Sequence, residues 1–226
     1  MRRSPALGTL AAGAAGILAA AALAGCSTSP TGGATTTNTN TNTAATTGGV
    51  ATAPATSGPS GTPVAAGDLV KPDGSAAGRV EVTQTGDTMQ LVVEARGLTP
   101  GFHGLHLHAV GKCEPKSADP KDPTKTGDFL SSGGHLDASG AAHPGHDGDL
   151  PSLYVGKDGT GRLTTVTDRL TRAALGDADG AALLIHGLPD NAANIPTRYA
   201  AAGADAETKK AGDAGPRVAC AALTAS

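Results

Sequence analysis

The sequence predicts an all-β domain, a sandwich or barrel of antiparallel strands interrupted by two long functional loops. Three observations predict it. Short apolar stretches recur at even spacing, separated by Gly, Pro, Asp and Asn. No apolar pattern of helical period is long enough to build a helical domain. Two segments, 114–150 and 187–216, lack strand character, and long irregular segments in a compact domain usually carry function.

Seven strands are expected: 78–85, 88–96, 102–110, 152–156, 161–167, 181–186 and 217–223. Thr85-Gly86-Asp87 joins the first two as a hairpin turn, with Val80 and Val82 on one face and Glu81 and Thr83 on the other. Lys157-Asp158-Gly159 carries the Asp-Gly turn signal and joins the fourth to the fifth. Residues 171–175 read as a single helical turn.

The chain before the domain has a different composition. Arg2 and Arg3 precede an Ala/Leu/Gly run over 6–24 that ends in Leu23-Ala24-Gly25-Cys26. This is the layout of a secretory signal, with a transmembrane anchor of ~20 residues as the alternative. The Leu-Ala-Gly-Cys ending resembles the lipobox of bacterial lipoproteins. That resemblance implies cleavage before Cys26, a lipid on its thiol, and an extracytoplasmic protein anchored to the bacterial membrane; a plain secreted protein is the alternative. Residues 27–66 are Thr, Asn, Ala, Ser, Gly and Pro, with Val50 and Val64 the sizeable apolar side chains. Such a stretch cannot offset its ordering entropy and is expected to be a disordered tether with a reach of ~35 Å. The domain is therefore expected over 67–226.

The formal charge is −3, and losing Arg2 and Arg3 takes it to −5, which argues against nucleic acid as a partner, since that would want a basic face. Of the three cysteines, lipidation of Cys26 leaves the pair Cys113 and Cys220, in a compartment where disulfides persist. A bridge between them is worth about 4–5 kcal/mol in the chain-entropy account. Two free buried thiols are the alternative.

All seven histidines lie between His103 and His186. Converging neutral imidazoles select copper or zinc over harder ions. On a strand, His106 and His108 share one face and Leu105 and Leu107 the other, so two imidazoles are preplaced for one metal. His103 has the parity of the leucines and reads as a hydrogen-bonded structural residue. His135, His143, His146 and Asp149 offer three nitrogens and an oxygen, a donor set that suits tetrahedral zinc, or else a plain glycine-rich turn. His186 ends the apolar run 182–185, where a lone histidine is more often structural.

Four segments, GFHGLHLHAVGKC, GGHLDASGAAHPGHDGDLP, LLIHGLPDN and GDAGPRVAC, resemble in order the signatures of the copper/zinc superoxide dismutase family, over most of 68–226. The resemblance implies a flattened eight-stranded Greek-key barrel with copper on His106, His108, His135 and His186. His135 would be shared with zinc, whose other ligands would be His143, His146 and Asp149. Asp190 matches the aspartate that links a copper histidine to a zinc histidine, Arg217 the guanidinium beside the copper channel, and Cys113 with Cys220 the intrasubunit disulfide. The implied activity is dismutation of superoxide to dioxygen and hydrogen peroxide, with Arg217 drawing in the anion and His135 carrying a proton. An extracytoplasmic copper buffer or donor on the same fold is the alternative.

There are departures. Only Pro144-Gly145 separates His143 from His146, where the family usually has several more residues, leaving open a compressed zinc site or a copper-only relative. The last signature ends Ala221-Ala222-Leu223 instead of the commoner Gly-Val-Ile. The loop 191–216 matches only at its ends, so its charges are assigned no role.

Overall fold

The computed structural model describes residues 61–226; the expected signal segment, Cys26 and residues 27–60 of the expected tether lie outside them. The strands are β1 (Thr62–Val70), β2 (Ala76–Thr85), β3 (Thr88–Ala95), β4 (Gly101–His108), β5 (Ser117–Ala118), β6 (Thr126–Gly127), β7 (Asp149–Val155), β8 (Gly161–Thr167), β9 (Ala182–His186), β10 (Arg217–Ala222) and β11 (Thr224–Ala225). Two single-turn helices, α1 (Arg172–Leu175) and α2 (Thr208–Ala211), sit in the connections. Thr171 caps α1 by accepting from the Ala174 amide at 3.1 Å, which explains why so short a helix forms there.

Eight strands pair in the order β10-β9-β4-β7-β8-β3-β2-β1, and β1 pairs back to β10, closing an antiparallel barrel; β11 adds to β1, and β5 with β6 forms a separate ribbon. Two seams are thin. β7 meets β8 only at Val155↔Gly161, and β1 meets β10 only at Val70↔Cys220. The barrel is therefore flattened into two four-stranded sheets. Alternate residues fill the space between them, including Val80 and Val82, Leu91 and Val93, Leu105 and Leu107, Leu153 and Val155, and Leu183 and Ile185. Each such side chain contributes about 1.5–3 kcal/mol by leaving water.

Period two then decides where the histidines go. With Leu105 and Leu107 inside, His106 and His108 point out of the barrel, yet both are buried, because the long loops cover that face. A small apolar cluster of Phe129, Ala182, Leu184 and Cys220 helps to fix this cover. The Cys113–Cys220 disulfide, 107 residues apart in sequence, bonds the first loop to β10. His103 faces inward as its parity requires, its ring nitrogens 2.6 Å from the His186 carbonyl and 2.8 Å from that of Thr99.

Several strand ends shift by one or two residues from the sequence expectation, and two boundaries differ by more. Strand pairing already includes Thr62–Ala66, before the expected domain start at 67, because Thr62–Val70 pairs along β2 with Val64 and Ala65 buried. Small residues there hid a strand whose stability comes from pairing more than from its own apolar content. β7 starts at Asp149, three residues before the expected 152, which puts Asp149 opposite His106 on β4.

Candidate metal centre

Two strands and one loop build the first pocket. His106 and His108 come from β4, His186 from the end of β9, and His135 from the loop, where it bridges His108 in an antiparallel pair. One ligand atom from each of the four lies within 4.8 Å of all the others. The far side of each ring is anchored. His108 Nδ1 donates to the Gly133 carbonyl at 2.8 Å and His186 Nδ1 to that of Gly215 at 3.1 Å. His106 Nε2 donates to Asp190 Oδ2 at 2.6 Å, and His135 Nδ1 lies 2.8 Å from Asp149 Oδ1.

The near sides are bare. His106 Nδ1, His108 Nε2, His135 Nε2 and His186 Nε2 are buried without a hydrogen-bond partner. A buried polar atom left unpaired costs about 1–3 kcal/mol. Four such atoms aimed at one point fit a bound cation, and an all-imidazole set fits copper. Burial also keeps the rings in the neutral ligand form. It holds His186 down at about 3 and His135 at about 4, and it pushes His108 well below the ordinary histidine value with help from the Arg217 charge.

The second pocket shares His135 and lies on segment 143–149. Asp149 Oδ1 is 3.1 Å from His143 Nδ1, and its Oδ2 is 3.1 Å from His146 Nδ1. His146 Nδ1 is 3.2 Å from His135 Nδ1, so the short Pro144-Gly145 link still returns His146 to the site. The tight turn that permits this closes with the Gly145 amide donating to the Ala142 carbonyl at 2.7 Å. The four-residue set whose ligand atoms all fall within 4.8 Å is nevertheless His106, His135, His143 and Asp149, without His146. His143 Nδ1 is another buried atom without a hydrogen bond, so this pocket also fits a cation. Burial alone would raise the Asp149 carboxyl; the hydrogen bond from His135 and the surrounding histidines instead hold it well below the usual range.

Asp190 ties the pockets together. Its Oδ2 accepts from His106 and its Oδ1 from His143 Nε2 at 2.9 Å and from the Ala192 amide at 2.6 Å. Burial opposes its ionisation, but these bonds bring its carboxyl down to about 2. Gly212, at φ +61°, packs on this bridge, and a Cβ there would collide with Asp190 Oδ1 and His143 Nε2.

Arg217 opens β10 in register with His186. Its Nη1 donates to the Phe129 carbonyl at 2.6 Å and to Ser132 Oγ at 3.0 Å, and its Nη2 to the Gly133 carbonyl at 2.6 Å. That Gly133 carbonyl also accepts from His108, so one peptide group holds both the cation and a member of the first pocket. Phe129 is fully buried in the left-handed region (φ 59°, ψ 21°), a costly conformation that turns its carbonyl toward Arg217. Among the described residues no carboxylate forms an ion pair with Arg217. Burial lowers it to about 10, which leaves it charged at neutral pH.

The structure thus brings together all the site residues read from the sequence that lie within the described residues. Sequence reading missed Gly212 and the carbonyls of Phe129 and Gly133. Phe129 carried a faint signal, as one of two phenylalanines in a chain with 2% aromatic residues.

The sequence model for copper/zinc superoxide dismutase (SODC) matches residues 76–223. A "Superoxide dismutase [Cu-Zn]" of Mycolicibacterium paratuberculosis is 44% identical over 175 residues, covering 74% of this chain and 77% of that one. The protein of the same name from Escherichia coli is 33% identical over 153 residues, covering 65% and 78%. The solved Cu/Zn superoxide dismutase of Brucella abortus is similar at 27% identity and TM-score 0.54, covering 70% of this chain and 98% of that one. The closed eight-stranded barrel with two joined histidine pockets on one outer face thus comes with a family-model match over most of the described chain and with these relatives, and the chain belongs to the copper/zinc superoxide dismutase family.

Proposed function

We propose that this chain dismutates superoxide at a copper held by His106, His108, His135 and His186, with zinc in the adjoining pocket of His135, His143, His146 and Asp149. The observation that carries the reading is the convergence of four unpartnered imidazole nitrogens beside a charged arginine. Copper bound there supplies a one-electron change that takes an electron from one superoxide and returns it to the next. The chain's residues do the rest. The anchored outer nitrogens fix which nitrogen of each ring faces the pocket. Arg217, held by three hydrogen bonds, attracts and orients the anion; a local positive potential speeds such capture 10-fold or more. His135 presents Nε2 to the first pocket and keeps Nδ1 toward Asp149, so Nε2, when it is not ligating the metal, is the atom that would take up a proton from solvent and pass it to the departing peroxide.

A copper buffer would need the same histidines but has no use for a cation held in place over them. The deciding experiment measures copper and zinc content and then the dismutation rate of the purified protein. Stoichiometric copper without activity would favour the buffer. Arg217→Ala is expected to lower the rate with copper still bound, and an unchanged rate at low salt would remove Arg217 from the mechanism.

The protein acts outside the cytoplasm, tethered to the outer face of the membrane through a lipid on Cys26; the Leu23-Ala24-Gly25-Cys26 sequence supports this. Cys26→Ser is expected to move the protein from the membrane fraction to the soluble fraction, and continued sedimentation with membranes would contradict the anchor.

A further inference from the structure

Arg169 is a cation that the proposed mechanism leaves unused. It lies just past β8, and its side chain reaches segment 143–149, which carries three of the zinc-side residues. Its Nη1 donates to the Pro144 carbonyl at 3.1 Å and its Nη2 to the Asp149 carbonyl at 2.8 Å. Pro144 directly follows His143, and Asp149 is itself a member of the pocket. One guanidinium therefore spans the two ends of the segment, with His146 on the turn between. No carboxylate among the described residues forms an ion pair with Arg169, so the carbonyls are its partners.

The segment has reason to need this. Long-range backbone bonds tie it to other elements at His143 (amide to the Lys209 carbonyl, 2.9 Å) and at Gly148 (amide to the Leu136 carbonyl, 2.8 Å), but none joins its two ends. Its local bonds are the Gly145 amide to the Ala142 carbonyl at 2.7 Å and the Asp149 amide to the His146 carbonyl at 3.2 Å. Each local bond closes a single turn. Arg169 supplies the bond across the mouth, and the planar guanidinium sets the spacing of its two donors rigidly, as a lysine ammonium cannot.

We propose that Arg169 is a positioning residue for the zinc-side pocket: by gripping the carbonyls of Pro144 and Asp149 it sets the separation of His143 from Asp149. This rests on reading that pocket as the zinc site. Geometry and charge pull in opposite directions here. A nearby cation repels a divalent ion, so loss of the charge alone would tighten zinc binding. Loss of the strap loosens it.

The test uses the purified full-length protein as wild type, Arg169→Ala and Arg169→Lys. It measures zinc affinity by chelator competition, the visible spectrum of cobalt(II) in the zinc pocket, copper affinity, and the melting temperature of the metal-free form. Arg169→Ala is expected to weaken zinc about 10-fold, the low end for partners that orient metal ligands. The cobalt band should change while copper affinity stays the same. Arg169→Lys should recover part of the loss, and low-millimolar guanidinium ion should restore zinc affinity to the alanine variant. Unchanged or tighter zinc in Arg169→Ala would overturn the proposal. So would an equal loss of copper and zinc with a lowered metal-free melting temperature, which would mark general support of the fold. Wild-type protein that takes up no zinc would overturn the reading of the pocket itself, and the strap with it.

Discussion

The two pockets share His135 but are built from different materials. The copper-side pocket takes three of its four histidines from β4 and β9, paired strands in the middle of one sheet. The zinc-side pocket takes His143, His146 and Asp149 from a seven-residue segment that is loop up to the first residue of β7. Strand placement follows from period two and needs little help. Loop placement needs partners at every step: Asp190 on His143, Arg169 across the mouth, Gly212 making room. The lesson is that the strand backbone itself places most of the first pocket, with Asp190 as the support that both pockets share, while the loop pocket leans more heavily on residues that touch no metal.

Removing a member from the strand pocket is the largest perturbation. His186→Ala should lower copper affinity on the order of 100-fold or more, since losing a ligand exceeds the about 10–100-fold cost of losing a partner behind it. Zinc should change far less, because His186 contributes nothing to the second pocket. Metal titration checks this, and equal losses at both sites would mean that the pockets are not separable.

Asp190→Ala comes next, at about 10–100-fold in affinity, and it should fall on both metals because the carboxylate holds His106 and His143 at once. An effect confined to copper would show that the His143 contact is incidental. Gly212→Ala should follow the same pattern more weakly for copper than for zinc. The added methyl strikes the Asp190–His143 side of the bridge, and a left-handed alanine costs about 1–2 kcal/mol besides. Its checks are the metal-free melting temperature and zinc affinity.

Acid should act on the residues that the two pockets share and on His186, by a smaller margin. In the metal-free protein His135 and His186 are held to about 4 and about 3, below the unfolded value of about 6.5. The unfolded chain therefore binds more protons across that window, and folding stability rises with pH through it. The stability is whole above about 6.5 and is lost as pH falls toward 4. The carboxylate of Asp190, at about 2, loses its contribution only at still lower pH. Melting temperatures of the metal-free form should thus fall steadily from neutral pH to pH about 4, and bound metal should resist that fall. A flat profile would mean that the histidines are not buried neutral.

This contrast also explains what could be read from the sequence. Strand alternation placed Leu105, Leu107, His106, His108 and the inward His103 correctly, because period two acts on each residue independently of its neighbours in space. The first strand escaped notice because Thr62–Ala66 are small residues whose burial depends on β2. His143 and His146 were visible as residue types, but nothing in their spacing told how a two-residue link could return His146 to His135. That depended on a backbone turn and on cross-loop bonds from Arg169, both of which connect residues far apart in the chain or use carbonyls that every residue has. The grip of Phe129 and Gly133 on Arg217 was hidden for the same reason.

The central claim is that the four unpartnered nitrogens define the copper site. Anomalous diffraction at the copper absorption edge, from crystals of protein loaded with one equivalent of copper, tests it most directly. The account expects one peak about 2 Å from His106 Nδ1, His108 Nε2 and His186 Nε2, on the side to which His135 Nε2 points. A principal peak elsewhere, or one that leaves any of the three strand histidines unbound, would contradict it.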